Sequence, residues 1–595
     1  MPFSPDQIEF VDIYPPINVA RVGDSDEYFI GTENPGVEPI PDGAFKDYEW
    51  NPTGGFKDKD YKIRKHAARF RVYAFDKDSK VLGEITSKDY SLTWTTHVAN
   101  KKAAWIEFHG KYGRDNSSLR NPGVQGWPGE PGKWPYDYTN ERSDLIIDSG
   151  EQSIQGENAQ PVALQGVFQG STKSGTQVQL GELRTDDQGR LLVLASDGHS
   201  FSILGDKDLT NGFDNPDWVD KMCDGSVRVT VKSKSKPELN IPVKNRATIM
   251  TAPPRFASGT HCPTTLYELI EEVYEQPKRG EGYDVGDVVY YEHIYPLFDR
   301  GYLMSWTNRS ANQGHGPTKI GKFQGPNFWN PEVGKDARVQ LFNDRIRLYV
   351  IDGDKANQEA RNAQANGDYM PRLSGDAGDV KEGVADKWAS LTQLQYDRLK
   401  KWSLSEFTTG KQEEPYKSFD DIPLDKQPDA LIRSGCEWGI GAALYPGIET
   451  FWISQFPEMY NLKEKFRHAD TVKPGDLTKG LCLPWQSDFN MCQKDWWPSV
   501  RPDDVVTEAY FQQVKAVTPP DQLAKKLTKR ERWDRGIAPR KDEGNSGMVD
   551  DWNKLGFVAR QIYETQPDQL KILVERERNP NFPPPQGGVV VHEME

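Results

Sequence analysis

Glycine and proline interrupt this chain at every scale: 52 Gly and 42 Pro fall among 595 residues without any period. Residues that break regular elements, spread so evenly, exclude collagen-like order and long uninterrupted helices. They leave short strands and helices joined by many ordered loops. The 17 Trp, 24 Tyr and 25 Phe supply apolar surface that disordered chains lack, so the chain folds despite a mean hydropathy of −0.75. At roughly 100–200 residues per domain, several packed units are expected.

Two regions differ in period. Up to about residue 260 the pattern is β: "FRVYAFD" (Phe70 to Asp76) and "SVRVTVKS" (Ser226 to Ser233) alternate apolar and polar residues. "QVQLGELRTDDQGRLLVLAS" reads as two strands around a turn at Asp186 to Gly189. From residue 264 helical spacing appears. Leu266, Leu269, Ile270 and Val273 share one face, with Thr265 and Glu268 as a capping box. "RVQLFNDRIRLYVID" reads as a further β segment. Ala385 to Trp402 reads as an amphipathic helix burying Trp388, Leu391, Leu399 and Trp402, and "TEAYFQQVKAV" and "PDQLAKKLTKRERW" as later helices. The expected fold is α+β and mainly β. A β-sandwich-like N-terminal part, 1–260, packs on a mixed helix and loop part, 261–595.

A net charge of −15 argues against nucleic acid and anionic membranes as partners, since both require clustered Lys and Arg. No stretch approaches the roughly 20 apolar residues of a membrane span, and "MPFSPDQIEFVDIYPP" lacks the basic and apolar regions of a secretory signal. A cytoplasmic location is expected, with non-classical export as the other route. Five Cys, at 223, 262, 436, 482 and 492, form no disulfide framework. No G-x-G-x-x-G, P-loop, G-x-S-x-G or H-E-x-x-H motif occurs, and the nine His are isolated, so neither a metal nor a flavin site is expected in this chain.

What remains is "LPWQSDFNMCQKDWWPSVRP", residues 483–502. Residue by residue it has a plain reading: Cys492 a buried thiol, Asp488 a cap or turn residue, Trp485, Trp496 and Trp497 core. Its D-F-x-x-C spacing, however, resembles the cofactor segment of the cysteine tryptophylquinone oxidases, the group of L-lysine ε-oxidase and glycine oxidase. Other strings resemble family segments as well: "IYPPINVARVGDSDEYFIGTENPG", "RKHAARFRVYAFD", "WTTHVANKKAAW" and "YPGIETFWISQ".

The resemblance implies that Cys492 supplies a thioether sulfur and that Asp488 helps to build the cofactor and acts as its base. The partner indole follows Cys492 in the family. "DDWNKLGFV" resembles the family's tryptophan segment, which makes Trp552 the choice and Trp533 the fallback. Cys482 is the competing thiol, and Cys436 sits where some relatives carry a thiol in the substrate channel. Arg501 and His468 are candidate cations for a substrate carboxylate. The implied activity is oxidative deamination of a primary amine of an amino acid, glycine- or lysine-type, using O2 and releasing an aldehyde or oxo acid, ammonia and hydrogen peroxide. A flavoprotein acting in trans for maturation and a homo-oligomeric state are implied too. Two other readings stay open: an oxidase of simple primary amines, and a non-enzymatic binding member that leaves Cys492 and Trp552 unmodified.

Overall fold

The computed structural model describes residues 3–108, 118–126, 140–172, 175–205, 209–349, 355–375, 380–441, 449–450, 452–491, 500–537, 547–563, 571–582 and 591–593. Twelve strands of the N-terminal part form one mixed sheet. In chain order they are β1 (Phe10–Tyr14), β2 (Ile17–Arg21), β3 (Tyr28–Ile30), β4 (Lys65–Phe75), β5 (Val81–Ile85), β6 (Tyr90–Asn100), β7 (Ile147–Gln155), β8 (Val162–Phe168), β9 (Thr176–Thr185), β10 (Leu191–Ala195), β11 (Asp224–Ser233) and β12 (Ala247–Ala252). The main path runs β8-β9-β10-β4-β2-β12-β11-β6-β7, and β1, β3 and β5 pair with β4 beside it. The alternation read in Ser226–Ser233 is the alternation of burial over the end of β11, whereas in β4, whose sequence also reads as alternating, Phe70 to Phe75 are buried on both faces. The ends of the sheet curl back on each other. A Cβ on Gly166 of β8 would lie 2.5 Å from the Asp148 carbonyl of β7, so only glycine fits that approach.

The second half is mostly helix and loop, with short strands from Asp504 onward. Thr265 caps α1 (Leu266–Glu275): its side chain accepts from Glu268 N while Glu268 reaches back to Thr265 N. Then follow α2 (Tyr295–Met304), α3 (Arg309–His315), α4 (Lys335–Arg345), α5 (Gln393–Ser403) and α6 (Gln427–Glu437). Helix α4 corrects the β reading of residues 338–352 over 338–345; residues 350–352 lie outside the described residues. The run RVQLF fits both periods, and here Arg338 and Phe342, one turn apart, take the buried face. The amphipathic helix expected from Ala385 begins only at Gln393, capped by Thr392, yet Trp388, Leu391, Leu399 and Trp402 are all buried as read. "PDQLAKKLTKRERW" divides into a short helix, Pro520–Lys526, and a strand, Lys529–Arg532.

One large hydrophobic cluster crosses the boundary between the halves, joining Val22, Phe70 and Val193 of the sheet region to Trp485, Phe489, Trp533 and Trp552. A second cluster packs α1 and α6 on β2 and β12, and a third, centred on Phe298, Leu399 and Trp402, belongs to the helices alone. Among the described residues no helix is long and apolar enough to cross a membrane.

Candidate active site

Two short helices meet under the sheet: α7 (Trp485–Met491) and α8 (Gly547–Asp551), the latter running into a tight turn at Trp552–Lys554. Helix α7 follows a cis Leu483–Pro484 bond and carries Asp488, which is fully buried. Cys492 comes next in the chain and, with Trp496 and Trp497, lies outside the described residues.

The start of α7 is held from below by a buried ion pair. Asp220 Oδ2 accepts from Lys102 Nζ at 2.6 Å and from the Trp485 N–H at 3.0 Å, while its other oxygen takes Asn100 Nδ2 at 3.0 Å. Lys102 Nζ also donates to the Cys482 carbonyl at 2.8 Å. Neither charge touches solvent, so the pair persists because four partners satisfy it. Burial pushes the Lys102 pKa down against the pull of Asp220. The Cys482 thiol is pushed well up, first by burial and then by the neighbouring Asp488 charge, which holds it in its unreactive thiol form.

The Trp552 turn is held separately. Lys57 Nζ, from the loop before β4, donates at 2.8 Å to both the Asn553 and the Leu555 carbonyls, and Asn553 Nδ2 donates to Asp24 at 2.7 Å. Burial lowers the Lys57 pKa to about 7 despite Glu577 nearby.

Between the two clamps the indoles of Trp485 and Trp552 meet edge to face, with centroids 5.3 Å apart. Both are fully buried. Trp485 Nε1 donates to the Gly198 carbonyl at 3.0 Å, whereas Trp552 Nε1 has no hydrogen-bond partner among the described residues. Trp533, the other described indole after Cys492, donates to the Gly556 carbonyl at 2.7 Å and lies under the Arg501 guanidinium. A buried N–H without an acceptor is costly in an ordinary core, so the unpaired Trp552 nitrogen calls for an explanation that Trp533 does not. Among the described residues Trp306 and Trp438 are also without a partner at this atom, but Arg530 lies over the first ring and His261 stacks on the second.

Sequence reasoning missed the loop that roofs the site, Ser196–Ser200. Gly198 there has φ of +75°, and a Cβ on it would meet Val22 at 2.7 Å and the Trp552 ring at 3.2 Å. Glycine is required twice over, by backbone and by space. Next to it His199 is exposed, and its ring stands edge-on to Trp552 with centroids 5.9 Å apart. It is an exposed ring in contact with the buried indole. Asp197 fixes the loop by accepting the His199 N–H at 3.0 Å and pairing with Lys221 at 2.6 Å. Burial works to raise the Asp197 pKa, but the Lys221 bond and charge bring it below the usual range. An isolated His in "SDGHS" carries no spacing signal, and a fold alone brings it to residue 552.

Other sequence candidates lie elsewhere or are already engaged. Cys436 is buried in α6 within the cluster against β2, apart from the cluster of Trp485 and Trp552, and burial pushes its thiol far up. His468 is stacked on Tyr460 of that same cluster, bonded to Thr248 at 3.0 Å and held neutral by burial, with a pKa lowered to about 3. Arg501 does lie beside α7. It is buried, donating to the Phe489 carbonyl at 2.6 Å, the Pro502 carbonyl at 2.9 Å and Asp534 at 3.0 Å, and so is a structural strut.

Comparison with known proteins bears on what such an arrangement does. Residues 14–243 match the family model described as L-Lysine epsilon oxidase N-terminal, and residues 374–509 match the L-lysine epsilon oxidase C-terminal domain. Between them the matches take in more than half of the chain. L-lysine 6-oxidase from Marinomonas mediterranea is 27% identical over 553 residues, covering 81% of this chain and 71% of that protein. The crystal structure of the Schiff base intermediate of L-Lys epsilon-oxidase from the same organism with L-Lys superposes with a TM-score of 0.69 at 24% identity. It covers 96% of this chain and 95% of that one. A second crystal structure of that oxidase gives 0.68 at 23% identity over the same shares. These likenesses establish a shared fold across nearly the whole chain.

Proposed function

Because the chain belongs to the L-lysine ε-oxidase family, and is therefore an oxidoreductase of the amino-acid oxidase class, we propose that it deaminates the primary amine of an amino acid with a quinone made from its own Trp552 and Cys492. The observation that carries this reading is the Trp552 indole: buried, unpaired at Nε1, and packed against the helix that bears Asp488. The overall reaction takes amine, O2 and water to an aldehyde or oxo acid, ammonia and hydrogen peroxide. The quinone supplies an electrophilic carbonyl and a two-electron store that no unmodified side chain offers.

The residues of this chain supply the rest. Asp488 is the acid–base group, removing a proton from the carbon that bears the amine and returning it later. A positioned carboxylate of this kind contributes about 10²–10⁴ in rate. Trp485 and Phe489, in edge-to-face contact at 5.1 Å, keep water from the carboxylate's side of the site. Lys102 with Asp220 fixes where α7 begins, and Lys57 fixes the turn after Trp552, so neither half of the site depends on the other for its place. His199 stands at the solvent edge, where an incoming amine passes. A flavoprotein acting in trans is the proposed source of the quinone oxygens, and assembly as a homo-oligomer is proposed with it.

Substrate class is tested by peroxide and ammonia release from lysine, glycine and pentylamine. Turnover of an amino acid well above that of pentylamine supports the proposal. Equal turnover of pentylamine replaces it with a simple amine oxidase, and no release from protein matured in its own host overturns both.

A further inference from the structure

The helices α2 to α5 enclose a cavity of about 530 Å³ that takes no part in the site above. Its walls are apolar: Leu297, Phe298, Met304, Phe323, Leu341 and Met370 face it. Most of the lining falls between the two stretches matched to the family. The volume is that of a small-molecule pocket, which typically spans about 300–1,000 Å³. Two methionines give the wall a deformable surface suited to apolar groups of varied shape.

Polar groups occur at defined places. His315 lies on the wall, stacked on Phe323 at 5.3 Å, with its Nδ1 buried and unpaired. Burial lowers its pKa to about 4, so it adds no charge. Charge is confined to Arg345, Asp368 and Arg372. Arg345 reaches Asp368 at only 3.8 Å, and both side chains are well exposed, a pairing weak enough to exchange. Arg372 is exposed, and its guanidinium lies across Gly367. Two guanidinium groups against one carboxylate leave one net positive charge beside an apolar chamber. A planar fork of donors matches a carboxylate in both charge and geometry.

We propose that this cavity binds an amphipathic carboxylate, a medium-chain alkanoate in its simplest form, with the chain among Leu297, Phe298 and Leu341 and the head group on Arg372. The site is independent of the amine-oxidising one.

The test is calorimetric titration of the full chain with sodium decanoate, decanol and sodium acetate. Decanoate binds saturably and at least about tenfold more tightly than decanol, because only it engages the guanidinium, and acetate does not bind measurably. Arg372→Glu, at an exposed position, removes that advantage and leaves decanol binding unchanged. Leu297→Trp fills the chamber and weakens both long-chain ligands. Absence of saturable decanoate binding overturns the proposal, and so does binding to Leu297→Trp that equals the parent. Decanol binding as tightly as decanoate, or an unaltered affinity in Arg372→Glu, overturns the carboxylate assignment even if Leu297→Trp fails to fold.

Discussion

Two segments downstream of Cys492 each place a tryptophan in the same hydrophobic cluster with no exposure at all, yet they do different things with it. The segment around Trp533 completes the indole: its N–H finds Gly556, and Arg501 covers its face. The segment around Trp552 leaves the N–H unpaired, sets a second indole against one side and an exposed imidazole at the edge, and pins the backbone with a buried lysine. Burial alone therefore does not separate the two indoles, and the polar accounting around them does.

Substitutions sharpen this contrast. The largest effect is expected from Asp488→Asn. It removes the proposed acid–base group: where maturation fails, peptide masses keep Cys492 and Trp552 in separate, unmodified fragments and peroxide release is abolished, and in protein that matures turnover falls by about 10²–10⁴. Parental turnover with normal masses would detach Asp488 from the site.

The paired variants Trp552→Phe and Trp533→Phe come next. Trp552→Phe abolishes visible quinone absorbance and loses no hydrogen bond. Trp533→Phe keeps the absorbance and destabilises by roughly 1–3 kcal/mol, because the Gly556 carbonyl is left without its donor. A reversed outcome would make Trp533 the cofactor residue.

Lys57→Met probes the clamp on the Trp552 turn. Loss of the donor to the Asn553 and Leu555 carbonyls destabilises by about 1–3 kcal/mol in denaturant titration. The pH dependence has a definite sign. Lys57 titrates near 7 in the folded chain and near its ordinary 10.5 when unfolded, so between those values the unfolded state binds the extra proton. Stability from this group is thus greatest above pH 10.5 and is lost as pH falls through 7. The gap between parent and Lys57→Met widens from pH 7 to pH 10, and a constant gap would show that the lysine is not desolvated.

His199→Ala has the smallest effect. An exposed side chain with no bond to lose changes stability by no more than about 0.5 kcal/mol, while KM for the amine changes more than kcat. An unaltered KM would remove His199 from the substrate's path.

Much of the architecture was legible in the sequence because it is local. The strand at Phe70–Asp76, the paired strands around Asp186–Gly189 and the Thr265–Glu268 box rest on neighbours within a few positions, and all three elements form, although Phe70 to Phe75 are buried on both faces rather than alternately. The β reading failed over 338–345 for a physical reason: a short apolar run satisfies both periods, and only the packing of Arg338 and Phe342 selects the helix. At the candidate site, segment resemblance pointed to Asp488 and Trp552, and the helix that bears the first packs on the second. Nothing in the sequence pointed to the clamps. Lys57 meets carbonyls 496 and 498 positions away, and Lys102 meets Cys482 across 380, separations at which no periodicity carries information. His199 reaches Trp552 through the same long-range folding.

The central claim is that Trp552 and Cys492 form one cofactor. Its most direct test is the mass of protease fragments from protein expressed in its native host. The account predicts a single fragment joining the Cys492 and Trp552 peptides, with two oxygens gained and four hydrogens lost. Unmodified, separate Cys492 and Trp552 peptides from protein that nevertheless releases peroxide from an amino acid would contradict it.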